Sequence, residues 1–308
     1  MDRSSVDWRG YIPAITTPFD EHGDFDTAML RELIEWLVAE GMHGLIVAGT
    51  TGEWFSLTAQ ERQELFRVAG QAVKGRIPVI AGCSAYTANE AIAHAQAAKD
   101  AGLSGILLTP PPYVKPCERE ILAFYSDVNR NVDLPICVYN WPPGTGVDMR
   151  TELLQRLADL ERVVAIKNAT ACASRQSFID VLESLTDRVL VFGVSTDEDG
   201  ARMVLDYNAA GLMGAGAVLG RTHPEFFNAL WRGEMEKALM EGKRDRAIMT
   251  QWFNEDYTAK FGSAQAVFKS ALNIRDLPGG YPRRPILPLE SHEEEIIRGT
   301  LQELRFAA

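Results

Sequence analysis

The chain has 308 residues, 46% of them hydrophobic and 24% charged, which is enough apolar material for a large folded core and excludes a disordered protein. Its 31 basic and 42 acidic residues give a net charge of −11, which disfavours binding to nucleic acid or to an anionic membrane, so we expect a small-molecule partner. No apolar run approaches the roughly 18 residues of a membrane helix, and the start, MDRSSVDWRG, lacks a signal-peptide stretch, so a cytoplasmic location is predicted.

Eight short apolar runs follow one another along the chain, and amphipathic segments separate them. In the segment 26–42, between the first two runs, apolar residues recur at spacings of three and four, which is typical of a helix packed on a core. These residues are Leu30, Leu33, Ile34, Leu37 and Val38. The apolar runs are 11–19, 43–49, 77–82, 105–110, 134–140, 163–167, 189–193 and 211–218.

Polar residues mark several of the helix starts. Thr58 with Glu61 and Thr87 with Glu90 both fit the capping box, in which side chains and backbone satisfy each other's free N–H groups. The acidic stretch STDEDG at 195–200 lacks the alternating ligand positions of a calcium loop, so we interpret it as another helix start.

The strand runs are continuous rather than alternating, which indicates parallel strands covered by helices. The predicted fold class is therefore α/β, a (β/α)8 TIM barrel over residues 1–232. A doubly wound open sheet is the alternative, but it would usually show a phosphate-binding glycine turn after its first strand, where this chain has ITTPFDEHG. Helical patterns without strands follow at 234–257, 263–274 and 291–304, so residues 233–308 are predicted to form a C-terminal helical extension.

The sequence does not indicate a metal site, a cofactor or disulfide bonds. The cysteines are widely spaced, with no CxxC pair and no histidine at ligand spacing, and no HExxH motif occurs. We expect Cys83, Cys117, Cys137 and Cys172 to be reduced, structural thiols.

Catalytic groups of a (β/α)8 barrel lie where its strands end. Here the second strand ends in GTTGE (49–53), the fourth in TPPPY (109–113), the fifth in Tyr139 and the sixth in Lys167. A lysine taken alone would be expected to leave such a strand for water. A lysine confined among apolar residues instead loses hydration, which favours the neutral, nucleophilic amine of Schiff-base chemistry.

Strand alternation predicts which side chains accompany this lysine. Val163, Ala165 and Lys167 share one face of the sixth strand, and Cys137 and Tyr139 share one face of the fifth. If both faces point into the barrel, the phenol lies beside the amine.

The motifs resemble, along nearly the whole chain, the dihydrodipicolinate synthase and N-acetylneuraminate lyase superfamily of class I pyruvate-dependent aldolases. They are ITTPF, GTTGE with SLTAQER, TPPPYVKP, YNWPPGTG, AIKNAT and PRRPILPLESHEEE. The resemblance implies a Schiff-base-forming lyase that acts on pyruvate or another 2-oxo acid by aldol cleavage, condensation or dehydration. It also implies a homo-oligomer, either a dimer or a homotetramer.

The resemblance implies roles for single residues as well. Lys167 would form the imine with the keto carbon and Tyr139 would relay protons. Thr50 and Thr51 would bind the substrate carboxylate through backbone N–H groups, and Thr51 would also support the proton path. Tyr113 would be a second relay tyrosine donated by a neighbouring subunit, with an ambiguity of one residue in PPPYVKP. The other substrate-binding positions expected are Gly49, Gly193 and Met213.

Departures from two branches of the superfamily bear on the second substrate. Dihydrodipicolinate synthases carry an arginine after YN that holds the carboxylate of the aldehyde substrate, whereas YNWPPGTG has Gly144 there. Neuraminate lyases carry a threonine two residues after the lysine and an acidic pair after the seventh strand. This chain has Ala169 and GVST (193–196) at those places.

Three large aromatic residues, Trp54, Phe55 and Trp141, stand beside GTTGE and YN. If they line the mouth of the pocket, the second fragment meets aromatic surface instead of a charge, although large aromatics also pack under loops. Cleavage or dehydration of a 2-keto-3-deoxy sugar acid is therefore the preferred hypothesis. Condensation of pyruvate with an aldehyde, as in dihydrodipicolinate synthase, is the alternative.

Two other classes of function stay open. One is a phosphate-binding barrel enzyme that uses Gly211, Gly214, Gly216 and Arg221 after the eighth strand. The other is a noncatalytic homologue that binds a 2-oxo acid without turning it over.

Overall fold

The structure is a computed structural model that describes residues 1–170 and 174–306. Within these residues eight parallel strands form one sheet in the order β1-β8-β7-β6-β5-β4-β3-β2. They are β1 (Gly10–Tyr11), β2 (Leu45–Val47), β3 (Val79–Gly82), β4 (Gly105–Leu108), β5 (Ile136–Asn140), β6 (Val163–Asn168), β7 (Leu190–Phe192) and β8 (Gly211–Leu212).

The sheet closes on itself just after β1. Ala14 forms parallel bridges with both Ile46 and Ala215. The Ile46 N–H donates to the Pro13 carbonyl at 2.8 Å, and the Ile15 N–H donates to the Ile46 carbonyl at 3.0 Å. The predicted (β/α)8 barrel is therefore confirmed, and the open doubly wound sheet is wrong.

Helices cover the outside of the barrel and continue beyond it. They are α1 (Thr27–Ala39), α2 (Ala59–Val73), α3 (Ala88–Asp100), α4 (Glu118–Asn131), α5 (Pro142–Thr145), α6 (Thr151–Ala158), α7 (Arg175–Leu185), α8 (Glu198–Asp206), α9 (Thr222–Trp231), α10 (Met235–Trp252), α11 (Ala264–Ile274) and α12 (Ser291–Glu303). The last three lie where the helical extension is predicted. The division of the chain at residue 232 stays a prediction.

The three predicted helix starts are those of α2, α3 and α8. Thr58 and Glu61 form the full capping box of α2. Thr87 accepts from the Glu90 N–H at 3.3 Å, which is one half of the predicted box. Asp197 in STDEDG caps α8 by accepting from the Gly200 N–H at 3.0 Å, so this stretch is a helix start.

The interior of the barrel is filled by apolar side chains from all eight strand regions. This inner cluster includes Ile12, Ile46, Ile80, Leu107, Cys137, Tyr139, Ala165, Phe192 and Met213. A second, larger cluster packs between the barrel and its helices and contains the buried residues of α1, with Val38 partly buried against it.

The predicted alternation along β6 is wrong at its first two residues, Val163 and Val164. Val164 belongs to the inner cluster and Val163 to the outer one. The pairing of β5 with β6 shifts there, because Ile136 pairs with Val163 and the next residue, Cys137, pairs with Ala165. This irregularity has the form of a β-bulge. The extra residue lies on β6, and it reverses the face on which the side chains before Ala165 lie.

A buried ion pair joins the extension to the barrel. The Nζ of Lys269 on α11 contacts Glu53, which follows β2, and both side chains are fully buried. Burial lowers the pKa of Lys269 to about 8 against the opposing effect of Glu53, and it raises the pKa of Glu53. The same ammonium donates to the Tyr281 carbonyl at 2.9 Å, so it ties two parts of the extension to the end of one strand.

We expect Glu53→Gln to lower the free energy of unfolding by about 3–5 kcal/mol, because the buried Lys269 would lose its counter-charge. Urea unfolding followed by circular dichroism measures this loss. Glu64→Gln is the matched control, since its ion pair with Arg67 is exposed to solvent. A loss in Glu53→Gln no greater than in Glu64→Gln would contradict the prediction.

Candidate active site

A cavity of about 440 Å³ opens at the carboxyl ends of the strands. The barrel forms its floor, and residues 245–268 of the extension form much of one wall. Parallel strands bring their carboxyl ends to one rim, which is where barrel enzymes bind their substrates. Among the predicted site residues, the cavity lining includes Thr50, Thr51, Tyr139, Lys167, Gly193 and Met213.

Lys167 lies near the end of β6, where it pairs in register with Tyr139 of β5. The residue is only 8% exposed, and its Nζ lies 4.3 Å from the centroid of the Tyr139 ring. Burial lowers the pKa of Lys167 to about 8. A substantial fraction of the amine is therefore neutral near physiological pH, as a nucleophile requires.

Tyr139 keeps its phenolic proton. Burial raises the pKa of Tyr139, while the Thr50 side chain acts in the opposite direction. The Trp141 ring stacks nearly parallel on the phenol at a centroid distance of 6.0 Å. A protonated phenol can both donate and accept a hydrogen bond, so it suits proton relay.

The turn after β2 presents backbone donors to the cavity. The Thr50 carbonyl is engaged, because it accepts from the Glu53 N–H at 3.2 Å and from the Gln265 side chain at 3.0 Å. Within residues 1–170 and 174–306, the N–H groups of Thr50 and Thr51 donate to no protein atom. Adjacent free N–H groups of this kind suit a carboxylate.

Gly193 and Met213 line the cavity from the ends of β7 and β8. Gly193 has φ of 140°, and a Cβ there would lie 2.2 Å from the Asn168 carbonyl oxygen, so only glycine fits this close approach to β6. The Met213 sulfur lies 3.8 Å from the Cys137 thiol below the lysine.

Two predicted site residues lie outside the cavity lining. Gly49 lies just before the turn, where its carbonyl accepts from the Trp54 N–H at 3.2 Å. Tyr113 is 91% exposed and has φ of 81°. Within one chain, the structure does not bring Tyr113 together with Lys167.

The expectation for the aromatic residues is correct for Trp141 alone, which lines the cavity. Trp54 and Phe55 turn away and line a separate cavity of about 310 Å³. They belong to a 3-10 turn that begins after Glu53. Trp54 then packs 5.3 Å from the guanidinium of the buried Arg62, which explains why it leaves the mouth.

The loop after β5 provides no charged side chain at the position of Gly144. A Cβ at Gly144 would lie 2.0 Å from the Trp141 ring, so this ring conformation excludes any side chain there.

The phosphate-binding hypothesis also lacks its basic residue, because Arg221 bonds to Glu40 at 2.8 Å and does not line the cavity.

Sequence reasoning missed the wall contributed by the extension and by the loop after β7. Thr196 donates to Asp245 at 2.7 Å, and His223 Nδ1 lies 3.1 Å from the same carboxylate. Although burial acts to raise it, these neighbours hold the pKa of Asp245 below its usual value. Arg246 follows on the same helix and also lines the cavity. No motif marks these residues, since helix α10 reads as an ordinary polar helix.

Two asparagines at the strand ends were also missed. The Asn140 side-chain amide donates to the Asn168 side chain at 2.9 Å and to the Met149 carbonyl at 3.1 Å. Each asparagine directly follows a predicted catalytic residue, in YN and KN, and that position was the available signal. The bonds hold the ends of β5 and β6 together and so fix the spacing of Tyr139 and Lys167.

The described residues contain no cluster of three or more His, Cys, Asp or Glu side chains that could hold a metal ion. Cys83, Cys117 and Cys137 are free thiols, and Cys172 lies outside the described residues. None of the helices described is long and apolar enough to cross a membrane.

A closed (β/α)8 barrel with a buried lysine at the end of its sixth strand is the arrangement of a class I aldolase-type lyase. The comparisons with known proteins agree with this class. The chain belongs to the Dihydrodipicolinate synthetase family, whose model matches residues 7–304.

Individual relatives resemble the chain over nearly its full length. An uncharacterized DapA-like lyase of Rhizobium meliloti is 33% identical over 302 residues, which cover 97% of this chain and 96% of the relative. The 4-hydroxy-tetrahydrodipicolinate synthase of Limosilactobacillus reuteri is 33% identical over 297 residues, covering 94% and 91%. The crystal structure of dihydrodipicolinate synthase from Thermotoga maritima superimposes with a TM-score of 0.87 at 26% identity, covering 98% of this chain and 100% of that one.

The reactivity of Lys167 should rise as the pH passes through about 8, because only the neutral amine attacks an electrophile. An unperturbed lysine would show this rise only near its usual pKa of about 10.4. Competitive labelling with acetic anhydride, read by peptide mass spectrometry, measures this profile. Exposed Lys243 is the internal reference. Identical profiles for the two lysines would refute the prediction.

Proposed function

We propose that Lys167 forms an imine with the keto carbon of pyruvate, or with the pyruvoyl end of a longer 2-oxo acid. The observation that carries this proposal is the position of its buried amine, in one cavity with the Tyr139 phenol and the free N–H groups of the Thr50–Thr51 turn. These groups supply a nucleophile, a proton relay and an anion site, the three parts that the chemistry needs.

The steps follow from the chemistry of the imine. The amine adds to C2, and the keto oxygen leaves as water. The resulting iminium draws electrons from C3, which loses a proton and becomes the nucleophilic carbon of an enamine. Tyr139 carries protons to and from these positions, and the Thr50 and Thr51 N–H groups hold the carboxylate. Gly193 and Met213 shape the floor.

We propose that the enamine adds to the carbonyl carbon of an aldehyde, forming a carbon-carbon bond, after which water releases the product from Lys167. The relatives named 4-hydroxy-tetrahydrodipicolinate synthase support this direction. Their product is by its name a dicarboxylate, so an aldehyde that joins with pyruvate to make it must bring the second carboxylate.

A second candidate is the 2-keto-3-deoxy sugar acid lyase preferred from the sequence. Hydroxyl-binding groups favour it, because Ser195, Thr196 and Asp245 all line the cavity. In that case the enamine would form by cleavage of the sugar acid, or would expel a hydroxyl group in a dehydration.

Tyr113 is proposed to act from a neighbouring subunit. Its 91% exposure and strained backbone in the single chain fit a side chain that is placed by a partner. A dimer or tetramer therefore belongs to the proposal, as does the cytoplasmic location.

Incubation with pyruvate followed by borohydride reduction should leave a permanent adduct on Lys167, located by peptide mass spectrometry. The adduct should vanish in Lys167→Ala and persist in the control Lys99→Ala, which removes a lysine exposed on the surface. A folded protein that forms no adduct with pyruvate would overturn the imine proposal and favour a noncatalytic binding protein.

The two candidate reactions differ in what they do with 2-keto-3-deoxygluconate. If the enzyme condenses pyruvate with an aldehyde, we expect it to release no more pyruvate from this sugar acid than Lys167→Ala does. A coupled lactate dehydrogenase assay measures the release. Steady, Lys167-dependent release would reject condensation as the main reaction and support the sugar acid candidate.

A further inference from the structure

A glutamine of the helical extension reaches the turn after β2. Gln265 lies in the first turn of α11, is only 8% exposed and lines the cavity. Its side-chain Nε2 donates to the carbonyl of Thr50 at 3.0 Å, although the two residues are 215 positions apart in the sequence. Burying an amide is costly unless it is hydrogen-bonded, so this bond is what allows a polar side chain at that place.

The helix that carries Gln265 is anchored at two places. One helical turn later, Lys269 forms the buried ion pair with Glu53 at the far end of the same turn. The neighbouring Phe268 packs on the loop after β8, where a Cβ at Gly216 would lie 2.3 Å from its ring. The side-chain amide is therefore presented to the turn from a helix whose own position is set by packing.

The bond acts on a single peptide group. The carbonyl of Thr50 and the N–H of Thr51 belong to the same planar unit, and this peptide is trans. In a trans peptide the carbonyl and the N–H point in opposite directions. Fixing the Thr50 carbonyl therefore also fixes the direction of the Thr51 N–H, which donates to no protein atom within residues 1–170 and 174–306.

The turn by itself supplies a weaker restraint on this peptide. The Glu53 N–H donates to the Thr50 carbonyl at 3.2 Å, from within the turn. Gln265 adds a shorter bond from outside the turn, so it opposes rotation of the whole peptide plane. A hydrogen bond to a carbonyl also polarises its peptide group, which makes the N–H of that group a stronger donor.

We propose that Gln265 is a positioning residue for the carboxylate of the 2-oxo acid, because it holds the Thr50–Thr51 peptide with the Thr51 N–H directed at that carboxylate. The inference rests on the proposed function, in which Lys167 binds the keto carbon and the turn binds the carboxylate. It gives the extension a part in substrate recognition that is separate from its part in stability.

Pyruvate and methyl pyruvate test this role. Both present the same keto carbon to Lys167, but the ester carries no carboxylate charge. After equilibration with the protein, a brief borohydride quench and peptide mass spectrometry give the concentration that produces half of the maximal adduct. We expect Gln265→Met to raise this concentration about tenfold for pyruvate, the effect of weakening one hydrogen bond to a charged group. The value for methyl pyruvate should not change.

Two further variants and a second reaction control the measurement. Gln71→Met removes an exposed glutamine on α2 and should change neither value. Gln265→Asn keeps an amide but withdraws it by one methylene group. It should reproduce the loss for pyruvate, and it takes the place of Gln265→Met if that variant does not fold. Acetic anhydride labelling of Lys167, which needs no carboxylate site, should keep its pH profile, and it is the reference reaction if the ester leaves no adduct.

The outcomes separate this role from the proposed function. Absence of a pyruvate adduct in the wild-type protein refutes imine formation itself. With wild-type trapping intact, an unchanged value for pyruvate in the Gln265 variants overturns the positioning role alone. An equal loss for pyruvate and for the reference reaction also overturns it, since Gln265 would then only support the fold of the site.

Discussion

The constraint on which the site depends is the removal of one ammonium group from water. Two lysines are almost fully buried, and burial lowers the pKa of each to about 8. Lys269 has Glu53 beside it, whereas Lys167 has the face of a phenol and no carboxylate within ion-pair distance among the described residues. A counter-charge would hold the proton on the amine. The two amines differ in access as well, because Lys167 lines the cavity and Lys269 does not. Lys167 is therefore the buried amine that a bound molecule can reach.

The helical extension completes this site. Gln265 and Lys269 lie one turn apart on α11, and they hold the turn after β2 at Thr50 and at Glu53 respectively. Gln265 thereby engages the Thr50 carbonyl and Lys269 the Glu53 carboxylate, while the N–H groups of Thr50 and Thr51 stay free at the cavity. Preorganised donors of this kind need no rearrangement when charge develops on a substrate. The barrel and the extension therefore share one functional unit.

The fold was predictable because its signals are local and repeated. Continuous apolar runs, helix periodicity and caps such as Thr58 with Glu61 all agree, and strand-end motifs indicated the position of Lys167 and Tyr139. The errors concern features that periodicity does not encode. The bulge at Val164 depends on the pairing with β5, Trp54 follows a 3-10 turn away from the mouth, and Asp245 and Arg246 reach the cavity only because α10 packs on the loop after β7.

The cavity is assembled from two parts of the chain. The groups assigned to bond making and breaking lie on strand ends, where each side chain is tied to the barrel core, while much of the opposite wall comes from α10 and the segment that follows it. For protein engineering this separation is useful. A combinatorial library restricted to the cavity-lining residues Met249, Tyr257, Thr258 and Ala259 would change this wall and leave Lys167 as it is. It would also spare Ile248 and Trp252, which are buried in the core.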